Sequence, residues 1–140
     1  MLFRSVAEAL EKADAVLIAP SNPFLSVDPI LAVPGMRALL KGGPAPIVAV
    51  SPIIDGKAVK GPTAKLMTEL GLAVTNEAIV AHYGDLLDGL LVDAGDGAVE
   101  ANIEIRSTDT LMTDDADRER VAREALLLAK ELVARCAGPR

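Results

Sequence analysis

Aromatic side chains are nearly missing: the 140 residues hold two Phe, one Tyr and no Trp. Surfaces that grip single-stranded nucleic acid use such rings as stacking platforms, so that class of function is disfavoured. Positive charge is also scarce, with a net charge of -6. Phosphate-backbone binding rests on clustered Lys and Arg, which argues against a general polyanion binder but leaves room for a local basic pocket. The lone cysteine, Cys136, permits neither an intrachain disulfide nor a cysteine metal cluster, and a reducing, cytoplasmic setting fits. No apolar run approaches the roughly 18 residues of a spanning helix, and the start lacks a signal-peptide core, so a soluble protein with no membrane partner is expected. Neither a G-x-S-x-G elbow, nor a Walker loop, nor a G-x-G-x-x-G fingerprint occurs.

What is present is aliphatic. Hydrophobic residues make up 51% of the chain, so Leu, Val, Ile and Ala must build a core packed between layers. The length suits a single domain, 1–140. Its organising stretch is DAVLIAPSNPFLSVDPIL, Asp14 to Leu31. Val16, Leu17 and Ile18 read as a buried strand, and Pro20, Ser21, Asn22 and Pro23 stop it with turn-forming residues. Asp28 before Pro29 reads as a helix entrance, the carboxylate capping free amides and Pro preset for the first turn.

Strands and helices then alternate. Val6, Ala9, Leu10 and Ala13 have the spacing of a helix that packs on a sheet and feeds the first strand. An opening helix is unusual for such a domain, and 1–140 reads as the C-terminal portion of a longer protein, with Met1 to Ser5 foreign to it. A second helix breaks near Pro34 and Gly35, resumes at Met36 and ends at Gly42 and Gly43. PIVAVS is the next strand, and Ile53 to Lys60 a turn or short hairpin. Helices follow with Leu66, Met67 and Leu70 on one inner face and Ile79, Val80 and Tyr83 on the next. GLLVDA and NIEIRST are the third and fourth strands, the latter alternating as a half-exposed edge does. A helix from about Asp115 to Arg135 closes the chain, acidic at its start and basic at its end, with Val121, Ala125, Leu128 and Leu132 inward and Leu126 and Val133 flanking. The pattern predicts a three-layer, Rossmann-like α/β fold, with a mainly parallel sheet of about four strands flanked by helices.

Ligands of open parallel sheets collect at the carboxyl ends of the strands. Those ends carry Ser21 and Asn22, then Ser51, then Asp93, then Ser107, Thr108 and Thr110. With helix N-termini behind the first two loops, and Lys60 and Gly61 nearby, a phosphate site is one reading. The plainer one makes Ser21 and Asn22 turn formers, Asp28 a cap, Ser51 a strand end and Lys60 a solvated lysine. His82, without a second His or a Cys, is a poor metal nucleus and reads as structural or exposed. Asp85, Asp88, Asp93 and Asp96 lack the spacing of a calcium loop and read as a solvated acidic turn.

The blocks APSNPFLSVDPILAVPGMRALL, PIVAVSPIIDGKAVKGPTAKLM, HYGDLLDGLLVD and STDTLMTD resemble, in order, the C-terminal half of CofD-type 2-phospho-L-lactate transferases. That resemblance implies transfer of a phospholactyl or phosphoenolpyruvyl group from a guanosine diphosphate-linked donor to a hydroxyl of the deazaflavin FO. The step belongs to coenzyme F-420 biosynthesis, with GMP released and Mg²⁺ required. It assigns donor or phosphate contacts to Ser21, Asn22, Pro23, Ser26, Ser51, Lys60 and Gly61, and names no general base or metal ligand here. The family's opening GGTGG-type loop is not in this sequence, and the family usually has Gly where this chain has Asp28. Donor binding is therefore the expected retained role, with the chain inactive alone. Two other readings stay open: a non-catalytic nucleotide-, phosphate- or partner-binding module, and an inert fragment with an exposed apolar sheet edge; a homo-oligomer stays open under each.

Overall fold

A computed structural model of the chain describes residues 4–58 and 62–136. Helix α1 (Arg4–Glu11) leads to strand β1 (Val16–Ile18), a single π-turn (Pro23–Val27) that runs into α2 (Asp28–Leu31), then α3 (Met36–Gly42) and β2 (Ile47–Val50). A hairpin of β3 (Ile53–Ile54) and β4 (Lys57–Ala58) precedes α4 (Thr63–Glu69) and α5 (Asn76–Tyr83). Strands β5 (Gly89–Asp93) and β6 (Glu104–Thr108) and the long helix α6 (Asp115–Cys136) complete the order. The sheet runs β1-β2-β5-β6 with every pair parallel, as the alternation of elements predicts.

Residue alternation along β2 and β5 divides the core in two. Ile47, Ala49, Leu90 and Val92 face α4 and α5, meeting Met67, Ile79 and Tyr83. Val48, Val50 and Leu91 face α6, meeting Val121, Ala125, Leu128 and Ala129. Helices thus cover both faces of a sheet whose two central strands are continuous apolar runs, the pattern of a three-layer α/β fold. α6 packs tightly over Gly89: a Cβ there would sit 3.0 Å from Leu128 Cδ2.

Several elements differ from the sequence reading. β1 is an edge strand with Leu17 40% exposed, so its apolar run does not mark a fully buried strand. The helical segment after it starts at Pro23, not Asp28, because Asn22 is the cap: its Oδ1 accepts from the amides of Phe24 and Leu25, both at 3.0 Å. Asp28 lies inside the continuous turn and pairs with His82 instead. Leu70 faces solvent while Thr63 and Met67 are buried, and α1 buries no residue. On α6, Leu126 and Val133 point outward, and Ala129 joins the buried stripe. The parallel β5–β6 crossover contains no α-helix; segment 94–103 makes it with one 3-10 turn, Val99 and Ile103 packing on the α4–α5 side.

Candidate functional site

The parallel register puts the carboxyl ends of β1, β2, β5 and β6 along one edge. A cleft of about 140 Å³ opens there between Pro20 after β1, Ser51 and Pro52 after β2, Ile54 of the hairpin, Thr110 and Met112 after β6, and Arg118 on the first turn of α6. Arg118 is 62% exposed at its side chain and pairs only with the neighbouring carboxylate of Asp115 among the described residues. Among the described residues it is the one cation that lines this cleft. The composition hid it, because its place over the strand ends follows from how α6 packs.

The start of α6 that carries Arg118 is firmly built. Asp114 Oδ1 accepts from the Asp117 amide at 2.9 Å, while Asp117 reaches back to the Thr113 amide and hydroxyl at 2.8 and 2.7 Å, a reciprocal cap. The Thr113 hydroxyl and amide, with Arg120, hold the Asp117 carboxyl well below the usual carboxylate range.

Asn22 lies two residues beyond Pro20. Its oxygen is committed to the π-turn, and its buried Nδ2 has no hydrogen-bond partner among the described residues. A buried N–H left unpaired costs about 1–3 kcal/mol, so it is a donor in want of an acceptor. Ser21 is half-buried, its amide donating to Ala19 O at 2.6 Å. Pro23 is buried as the first residue of the turn, and Ser26 is exposed. Ser51 is buried with its hydroxyl committed: it donates to Asn76 Oδ1 at 2.5 Å and accepts from the Ile53 amide at 3.1 Å. Ser51 therefore shapes the cleft floor. Lys60 and Gly61 lie outside the described residues.

Asn76, the first residue of α5, is the hub behind this floor. Its Nδ2 donates to Asp96 Oδ2 at 2.7 Å, and Asp96 Oδ1 accepts from the Asp55 amide at 2.5 Å. The chain Ser51–Asn76–Asp96–Asp55 fixes the hairpin against α5 and the end of β5. Asp55, at a φ of 52°, and Gly56, at 64°, make the tight hairpin turn.

The four aspartates are not one solvated turn. Asp93 is buried at the end of β5. Burial alone would raise its pKa, but hydrogen bonds from the Thr110 amide, the Gly95 amide and the Thr110 hydroxyl together hold it below the ordinary value. Asp88, at the opposite end of the sheet, accepts from the Ile47 amide at 2.8 Å. Asp85 is held low by hydrogen bonds from Lys41 and Arg37. With Asp96 spent on Asn76, these carboxylates have structural partners, and no cluster of three or more His, Cys, Asp or Glu among the described residues could hold a metal. The described residues thus offer no ligand set for the Mg²⁺ that the resemblance implies. Also among the described residues, no single helix is long and apolar enough to cross a membrane.

The phosphoenolpyruvate transferase of Kitasatospora aureofaciens is 45% identical over 133 residues, which are 91% of this chain and 41% of that protein. The phosphoenolpyruvate transferase of Nocardia farcinica is 42% identical over 130 residues, 89% of this chain and 39% of that protein. One from Mycobacterium sp. (strain JLS) is 41% identical over 129 residues. The chain thus spans about two fifths of the length of the curated relatives it matches. The family model described as 2-phospho-L-lactate transferase CofD matches residues 2–131, and the chain belongs to that family.

Proposed function

We propose that this chain supplies the donor-binding edge of a transferase that moves a phosphoenolpyruvyl or 2-phospho-L-lactyl group from a guanosine diphosphate-linked donor to a hydroxyl of the deazaflavin FO, in coenzyme F-420 biosynthesis. The names of its relatives favour the phosphoenolpyruvyl group. The observation that carries the reading is the cleft at the strand ends, floored by Ser51 and carrying the exposed guanidinium of Arg118, with the unpartnered buried amide of Asn22 two residues beyond the Pro20 that lines it.

In that reading Arg118 and the Asn22 amide donate to oxygens of the donor's diphosphate, and Thr110 and Ser51 hold the cleft open with hydroxyls already committed to the protein. An FO hydroxyl oxygen attacks the phosphorus that bears the transferred group. The bond from that phosphorus to the bridging oxygen breaks, GMP departs with the electron pair, and the hydroxyl proton passes to solvent. Little covalent work falls to the protein, so positioning and neutralisation of the diphosphate supply the rate. Arg suits this because its planar fork matches two phosphate oxygens at once.

Titration of the ¹⁵N-labelled chain with GDP tests the proposal. The expected shifts fall on the Asn22 side-chain amide, the Arg118 guanidinium and the amides around Pro20–Leu25 and Ser51–Ile53. Shifts confined to other surfaces, or none at millimolar GDP, would overturn it.

A further inference from the structure

Segment 109–113 joins β6 to α6 and carries Thr110 and Met112, which line the cleft. It belongs to neither a ladder nor a helix, so its backbone groups need other partners. The peptide unit between Asp109 and Thr110 is gripped at both ends. Its N–H donates to Asp93 Oδ2 at 2.9 Å, and its C=O, which points the opposite way across a trans peptide, accepts from Arg120 Nε at 3.2 Å. The same guanidinium donates from Nη2 to Leu111 O at 3.1 Å and from Nη1 to Asp117 Oδ1 at 2.5 Å. Its fork thus ties the carbonyls of both neighbours of Thr110 to the carboxylate that caps the start of α6.

A surface ion pair one helical turn long, such as Arg123 with Glu119, fixes nothing beyond its own helix and is worth little. Arg120 differs because two of its acceptors are loop carbonyls outside α6. It does not itself line the cleft. Arg118, which does, stands two positions earlier on α6, a spacing that sends the two side chains to roughly opposite sides of a helix. The side chain of Arg120 is 34% exposed, so its replacement opens no cavity in the core.

We propose that Arg120 is a positioning residue for donor binding, a role that rests on the donor-site reading and deepens it: its fork holds the wall formed by Thr110 and Met112 at a fixed offset from the first turn of α6, and so sets where Arg118 meets the phosphate oxygens. Asp93 anchors that wall to the end of β5 and Arg120 anchors it to α6. Losing the fork lets the loop and the helix start shift against each other, and a bound group held by directed hydrogen bonds tolerates little misplacement.

GDP titrations into the parent chain, Arg120→Lys, Arg120→Gln, Arg118→Gln and the double variant of Arg118→Gln with Arg120→Lys test this, with each fold checked by far-UV circular dichroism. Arg120→Lys keeps the charge and gives up the fork, so it and Arg120→Gln should each weaken binding by about fivefold or more, within the coupling that members of one network show. A purely structural arginine would leave the affinity of the folded variants unchanged, and a purely electrostatic one would be replaced by lysine. Because Arg120 acts through Arg118, the double variant should bind no more than about twofold more weakly than Arg118→Gln alone. Parent affinity in folded Arg120→Lys or Arg120→Gln, or full additivity in the double variant, would overturn the positioning role and leave the donor-site reading standing. Absence of GDP binding by the folded parent would overturn the donor-site reading, and the positioning role with it.

Discussion

His82 Nε2 lies 2.9 Å from Asp28 Oδ1, clasping α5 to the helical turn that follows β1, and the Phe24 ring packs on the imidazole with centroids 4.3 Å apart. The contact gives Asp28 a partner on α5. Removing either side chain is expected to cost about 1 kcal/mol, the net worth of a part-buried hydrogen bond. Thermal melts of Asp28→Ala, His82→Ala and the double variant check this. The double variant should lose less than the sum of the two, and strict additivity would show that the contact carries no coupling energy.

Asn22 carries two roles that substitution can separate. Asn22→Ala removes the cap on Phe24 and Leu25 and should lower stability by about 1 kcal/mol. Asn22→Asp keeps the accepting oxygen and removes the orphaned amide, so its melting temperature should stay near the parent's while GDP affinity drops by about tenfold or more, a carboxylate now opposing the diphosphate. Chemical denaturation and GDP titration, run on the same two variants, resolve the roles.

Asp93 predicts an acid sensitivity with a definite sign. Its folded carboxyl is held below the unfolded value of about 3.9. The stabilisation is therefore complete above that pH and is lost as pH falls through the lower folded value. Urea midpoints measured from about pH 6 down to about pH 2 should decline at the acid end. Asp93→Asn should flatten part of that decline and lower the plateau by about 1–3 kcal/mol, since an amide cannot accept from Thr110 and Gly95 as the carboxylate does.

Gly89 should resist enlargement. An added Cβ meets Leu128 Cδ2 at 3.0 Å and Leu132 Cδ1 at 3.3 Å, so Gly89→Val is expected to push α6 outward and cost about 1–3 kcal/mol. Gly89→Ala should cost less, because the atoms it meets are ends of flexible side chains. Denaturant unfolding of the two variants gives the ordering directly.

The fold was legible where periodicity and punctuation agree. PIVAVS and GLLVDA are buried over β2 and β5 as continuous apolar runs predict, and α3 ends at Gly42 and Gly43 where the sequence stops it. The reading failed where a local pattern had two physical outcomes. VLI fits an edge strand as well as a central one, and only the sheet order decides. Asn22 and Asp28 are both good caps, and the π-turn chose Asn22. At the site, the loops after β1 and β2 were legible from strand ends alone, but Arg118 and Asn76 reach the same edge through long-range packing that no local spacing records.

Calorimetric titration of GDP into the chain and into Arg118→Gln tests the central claim most directly, since Arg118 is exposed and its loss should leave the fold untouched. The account predicts micromolar binding that weakens by about tenfold or more in the variant, the worth of one charge-assisted phosphate contact. Absence of GDP binding by the folded chain, or binding of equal strength in the variant, would contradict it.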